Sequence, residues 1–130
     1  MAEVVINRNI NAGGVNLQSR ISITGGALYL VDESIPGPST NLEVALVIDV
    51  SQLKAIYLHS DKAMTLYFNE ASTGSPSKTL ALAANQAFSW DNLCGHANPF
   101  GATDVTKVFV TKVGSGAARL RGFVLIDPTV

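Results

Sequence analysis

Cys94-Gly95-His96 is the one place in this chain where a thiol and an imidazole stand two residues apart. Two such groups can meet one metal ion, but a structural zinc site takes four protein ligands. His59 is the only other histidine and Cys94 the only cysteine. Half a site is therefore present, and we expect no metal and no cofactor. Nor do the two suit nucleophilic catalysis, because residues two apart in a loop rarely face one another with a third group orienting the base. Serines and aspartates occur, but no Gly-x-Ser-x-Gly elbow does. His59 follows Leu58 on the opposite side of an alternating run and reads as a solvated strand-end histidine.

The remaining chemistry-bearing residues are equally scattered. Asp32 and Glu33 are neighbours, and neighbours in a strand point to opposite faces, so they form no acid–base pair. Gly13-Gly14 and Gly25-Gly26 lie between strand patterns, whereas a phosphate loop needs glycines that open a helix. Lys107 with Lys112, and Arg119 with Arg121, are small basic groups that make no stripe, so no nucleic-acid partner is expected. Arg119 and Arg121 share a strand face, where they can meet a partner's carboxylates or keep an exposed strand from sticking edge to edge. Trp90, Tyr29, Tyr57 and Tyr67 are the available rings, and the three tyrosines, which alternate with aliphatic neighbours, are expected on outer faces. Such rings serve a sugar or another protein equally well. No catalytic, cofactor-binding or metal-binding residue is assigned, and no enzymatic activity is expected.

Composition narrows the alternatives. At 130 residues there is room for one domain with a real core. Charged residues make up only 15%, nine basic against ten acidic, which excludes a disordered chain and a basic nucleic-acid binder. Met1-Ala2-Glu3 is not followed by a basic segment and an apolar run, so no secretory leader is expected. Polar residues interrupt every apolar stretch well short of the roughly 20 residues of a membrane helix, so no membrane partner is expected either. Polarity comes instead from 11 Ser, 9 Thr and 9 Asn. A surface of small neutral groups suits static contact with other protein, and self-association is expected.

The elements that must position these residues are strands. Leu42, Val44, Leu46, Ile48 and Val50 alternate with Glu43, Ala45, Val47 and Asp49, giving one dry and one wetter face. The same period runs through Val15, Leu17, Ser19, Ile21 and Ile23, and recurs around Leu58, Leu66, Leu82, Val110 and Val124. Glycine pairs, the run Ile35-Pro36-Gly37-Pro38 and Gly74-Ser75-Pro76 punctuate them. The spacing predicts strands over 4–10, 15–24, 27–33, 42–50, 55–60, 64–69, 78–83 with 86–90, 105–113 and 118–127. Ser51 is expected to cap a single helical turn, and residues 91–104 to form the longest loop. The fold class is all-β: an antiparallel β-sandwich, jelly-roll-like, of eight or nine short strands. Residues 1–14 are expected to form an N-terminal arm and 15–130 a single β-sandwich domain.

Several stretches, taken in order, resemble small structural proteins that tailed bacteriophages encode beside their capsid genes. They are Asp49-Val50-Ser51-Gln52-Leu53-Lys54-Ala55-Ile56-Tyr57-Leu58, Asp61-Lys62-Ala63-Met64-Thr65-Leu66 and Asn85-Gln86-Ala87-Phe88-Ser89-Trp90. Asp104-Val105-Thr106-Lys107-Val108-Phe109-Val110-Thr111 and the closing Leu120-Arg121-Gly122-Phe123-Val124-Leu125-Ile126-Asp127-Pro128 complete the series. The resemblance implies a head decoration or cement protein, a homotrimer that bridges subunits of the major capsid protein. It would sit on the capsid surface of a virion assembled in host cytoplasm. A tail or baseplate component is the sibling role, and a carbohydrate-binding sandwich is the alternative from the aromatics. On the decoration reading, the arm and the loop at 91–104 are the expected capsid contacts.

Overall fold

Strands dominate because β-branched residues alternate with polar ones along most of the chain. The computed structural model describes residues 2–127. Pro128, which closes the stretch quoted above, lies outside the described residues, as do the final two positions of the expected domain. The strands are β1 (Ala2–Ala12), β2 (Val15–Gly25), β3 (Ala27–Ile35), β4 (Ser39–Val44) and β5 (Leu53–Ser60). They continue with β6 (Met64–Phe68), β7 (Lys78–Leu82), β8 (Ala87–Asp91), β9 (Val108–Lys112) and β10 (Ala118–Ile126).

Eight of the ten form two four-stranded sheets, ordered β3-β10-β5-β8 and β4-β9-β6-β7. Every neighbouring pair is antiparallel. These are the strand orders of a jelly roll. Between the sheets lie Ile56, Leu58, Leu120 and Val124 from one and Leu66, Phe68, Val108 and Val110 from the other. All seven positions that alternation marks most clearly, Leu46, Ile48, Leu58, Leu66, Leu82, Val110 and Val124, are buried. Each such side chain contributes about 1.5–3 kcal/mol by leaving water. Gly122 stands in the row between Leu120 and Val124, and a methyl there would collide with the Tyr57 carbonyl on β5.

Three details depart from the expected pattern. Residues 78–90 are two strands in different sheets, β7 and β8. Asn85, with φ +61°, helps turn the chain across from one sheet to the other. The run at 42–50 leaves its ladder after Val44, yet keeps alternating, because Ile48 forms an isolated bridge with Val105 and its face stays buried. The helical turn is a 3-10 turn at Val50–Gln52, capped by Asp49, whose carboxylate accepts from the Ser51 amide. Ser51 is therefore one step inside the turn.

The largest departure is at the N-terminus. β1 and β2 pair only with each other, from Ala2↔Gly25 to Ala12↔Val15, and form a separate two-stranded ribbon. The division expected after residue 14 falls at its Gly13-Gly14 turn, where both glycines have positive φ. Gly25 rests so close to Leu125 and the Ile126 carbonyl that a side chain there would press on both.

Candidate functional site

Asp91 ends β8 with its carboxylate buried and accepting from the Leu93 amide at 2.9 Å, which turns the chain into the long loop. Cys94 follows, half-buried, with its amide donating to the Asp91 carbonyl. His96 is exposed, and its carbonyl accepts from Trp90 Nε1 at 3.0 Å. Among the described residues no three metal-binding side chains gather. The loop is pinned down along its length. Phe100 packs edge-on against Phe68 at 5.2 Å and Phe88 at 6.4 Å. Asn98 donates to the Val50 carbonyl, and Asp104 accepts from the Val50 amide at 2.9 Å. Asn69 then bonds the Asp104 carbonyl and the Thr106 amide. Residues 91–104 are thus a fixed cover on one end of the sandwich.

Several charged groups find partners within the chain. Arg119 donates to both oxygens of Asp32, at 2.8 and 3.0 Å, and Arg121 approaches the same carboxylate at 3.6 Å. The Arg119 guanidinium holds the Asp32 carboxyl below its usual value. Both arginines do share a face, but β10 lies inside its sheet, so guarding an open edge is not their role. Asp61 accepts from the Arg119 amide, which lowers its carboxyl in the same way. Lys112 is buried, its ammonium spent on the carbonyls of Gly114 and Ser115, so it cannot pair with Lys107 to attract phosphate. His59 is half-buried on the outer face of its sheet, opposite Arg121 and Ala87.

The rings divide. Tyr57 lies on the outer face, stacked on Phe123 with ring centres 6.0 Å apart. Tyr67 takes the outer face of the other sheet, between the buried Leu66 and Phe68. Tyr29 does not: it is opposite Val124, on the inward side, and is exposed only because β3 is an edge strand. Leu28 and Leu30, followed by Asp32 and Ser34, are the outward residues of β3. Trp90 packs half-buried against the core.

The ribbon presents a surface of its own. Pairing places Val4 with Ile23, Ile6 with Ile21, Arg8 with Ser19, Ile10 with Leu17 and Ala12 with Val15 on one side of the ribbon. Asn7, Asn9, Asn11, Asn16, Gln18 and Arg20 fall on the other. The first half of the apolar side packs on Ala55, Leu125 and Phe123 of the β3-β10-β5-β8 sheet. The ribbon starts over β10, crosses β5 and reaches β8, where Asn7 and Arg8 border a hollow of about 300 Å³ with Tyr57, Ala87 and Ser89. From Asn7 to Arg20 every residue is exposed, including Ile10, Val15 and Leu17. The alternation of Val15, Leu17, Ile21 and Ile23 is legible in the sequence, but it carries no sign of which half is covered.

Comparison with known proteins gives no match to this chain, whether by family model, by curated sequence or by solved structure.

Proposed function

We propose that this chain is a non-enzymatic structural protein of a bacteriophage virion. It decorates the capsid surface as a homotrimer and cements the head by bridging neighbouring copies of the major capsid protein. The observation that carries this reading is the ribbon, whose second half presents an apolar face left exposed among the described residues. A compact sandwich has no use for such an extension in its own core, whereas an assembling one can use it as a contact. Polar but nearly uncharged surroundings support the same reading, because contacts built from them vary little with salt. Several modest contacts to adjacent subunits add through effective concentration. Trp90, the ring a sugar site would use first, is packed against the core and bonded to its own loop, which favours assembly over glycan binding.

Sedimentation with capsid shells tests the proposal. Whole-arm deletion is a poor variant, since β1 covers Ala55 and Leu125. Excising residues 9–12 and 15–18 instead brings Arg8 and Ser19 together across the Gly13-Gly14 turn and preserves the alternation. The wild-type chain should pellet with shells of the capsid protein encoded beside it, and the shortened chain should stay in solution. A wild-type chain that ignores shells but binds polysaccharide beads would replace this reading with the carbohydrate-binding one.

A further inference from the structure

The sandwich is open beside β3. That strand is the edge of its sheet, so alternate residues along it turn their amides and carbonyls away from β10. Across from it runs Ala45-Leu46-Val47, which has left the β4 ladder after Val44 and precedes the bridge from Ile48 to Val105. Among the described residues the backbone of these three makes no hydrogen bond. The two unpaired stretches border one groove of about 460 Å³. Its walls are mostly apolar, with Tyr29, Val31, Leu46, Val47 and Ile126 among them, and Tyr29 is 54% and Val47 70% exposed. Asp49 is the one charged residue in the lining. Its carboxylate accepts from Ser51 and meets no cation among the described residues.

We infer that this groove takes an extended segment of another protein, which adds to the open edge of β3. Unpaired backbone on both banks calls for an occupant that offers amides and carbonyls along both of its sides, and an extended peptide is the ligand that does so. The longer bank, Ala45–Asp49, sets its length at about five residues of strand. Alternate side chains of a strand point the same way, so aliphatic residues at every second position enter beside Tyr29 and Leu46. A lysine or arginine at one end meets Asp49. A second copy of this chain has no such segment to offer among its described residues. A strand lodged here uses both of its edges, whereas each strand of this chain already has at least one edge paired, and the 91–104 loop is pinned. The inference is independent of the capsid reading.

Fluorescence anisotropy with a labelled peptide, Lys-Val-Thr-Val-Thr-Val-Lys, tests it on the full chain without shells. Lysine at both ends admits either strand direction. Binding should saturate at one peptide per chain. The same peptide N-methylated at its valines keeps its side chains but loses the donors of one edge, and should bind at least about tenfold more weakly. Hydrogen exchange should slow in β3 and at residues 45–47. Val47→Asp, at an exposed position, should abolish binding with far-UV circular dichroism unchanged. Asp49→Asn keeps a capping side chain and should weaken binding about two- to fivefold. No saturation up to the solubility limit of the peptide would overturn the inference. So would equal binding of the N-methylated peptide, or protection confined to β7, β8 or the ribbon. Binding that appears only after residues 128–130 are removed would give the groove to the chain's own end. A peptide that only dissolves a self-associated chain would give it to a second copy, and either result overturns the inference. A chain that binds the peptide but ignores shells would sink the capsid reading alone, whereas one that pellets with shells but binds no peptide would sink this one alone.

Discussion

The sandwich and the ribbon are written in the same period, yet they end differently. In the sandwich, Leu46, Ile48, Leu66 and Val110 turn inward because a second sheet stands opposite them. In the ribbon, Ile21 and Ile23 find a floor in Ala55, Leu125 and Phe123, while Leu17 and Val15, in the same alternation, find none. Alternation therefore tells which face of a strand is meant to be dry. It does not tell whether the cover comes from the same molecule.

The difference can be broken or sharpened by truncating one side chain in each setting. Ile48→Ala removes a fully buried side chain from the sandwich and should cost about 2–5 kcal/mol. Urea unfolding measures it, and a loss under about 0.5 kcal/mol would mean the interior tolerates a hole that close packing forbids. Ile23→Ala acts in the small cluster under the ribbon, where fewer neighbours surround it, and should cost about 1–2 kcal/mol. Its hydrogen exchange should rise first in β1 and β2. Leu17→Ala, in the open half, should change the stability of the dilute single chain by less than about 0.5 kcal/mol. A larger loss would show that the tip is already covered, and the contrast between halves would vanish.

The sequence carried most of the sandwich because its strands are local patterns. Val44, Leu46 and Ile48 announce their face whether or not the ladder continues past Val44. It carried less of what depends on register. Tyr29 was expected outward because it alternates with leucines, but aliphatic neighbours mark the dry side only in a strand with a single wet face. In the first half of β3 both faces carry apolar residues: Val31 points to the core, Leu28 and Leu30 to the ribbon's side. The ribbon was half legible. Its turn and alternation could be read, but the pairing of β2 with β1 rather than with the sandwich is a competition between partners, and composition does not decide it. The groove proposed as a docking site needed the three-dimensional answer, since Tyr29 and Val47 are distant in sequence and unremarkable alone.

The smallest effect expected concerns acid. Asp32 is held below its ordinary value by Arg119, so its contribution to stability is present above the unfolded carboxylate range and is lost as pH falls through the lower folded value. Both groups are about half exposed, so the contribution is slight and screened by salt. Thermal unfolding of Asp32→Asn and wild type should differ a little near neutral pH and converge in acid below about pH 4. A difference that persists unchanged into acid would show that the residue acts through shape and not through charge.

The position of β10 has a consequence in time. Its register with β3 joins Ala27 to Ile126, almost the full length of the sandwich, and β10 also separates β3 from β5. While the chain is being made, the sheet that carries the outer face has no centre until its last strand leaves the ribosome. The ribbon pairs neighbours across a two-residue turn and can close as soon as residues 2–25 are free. A finished ribbon thus waits for the floor on which its first half will rest. During that interval both of its halves are equally open to other chains.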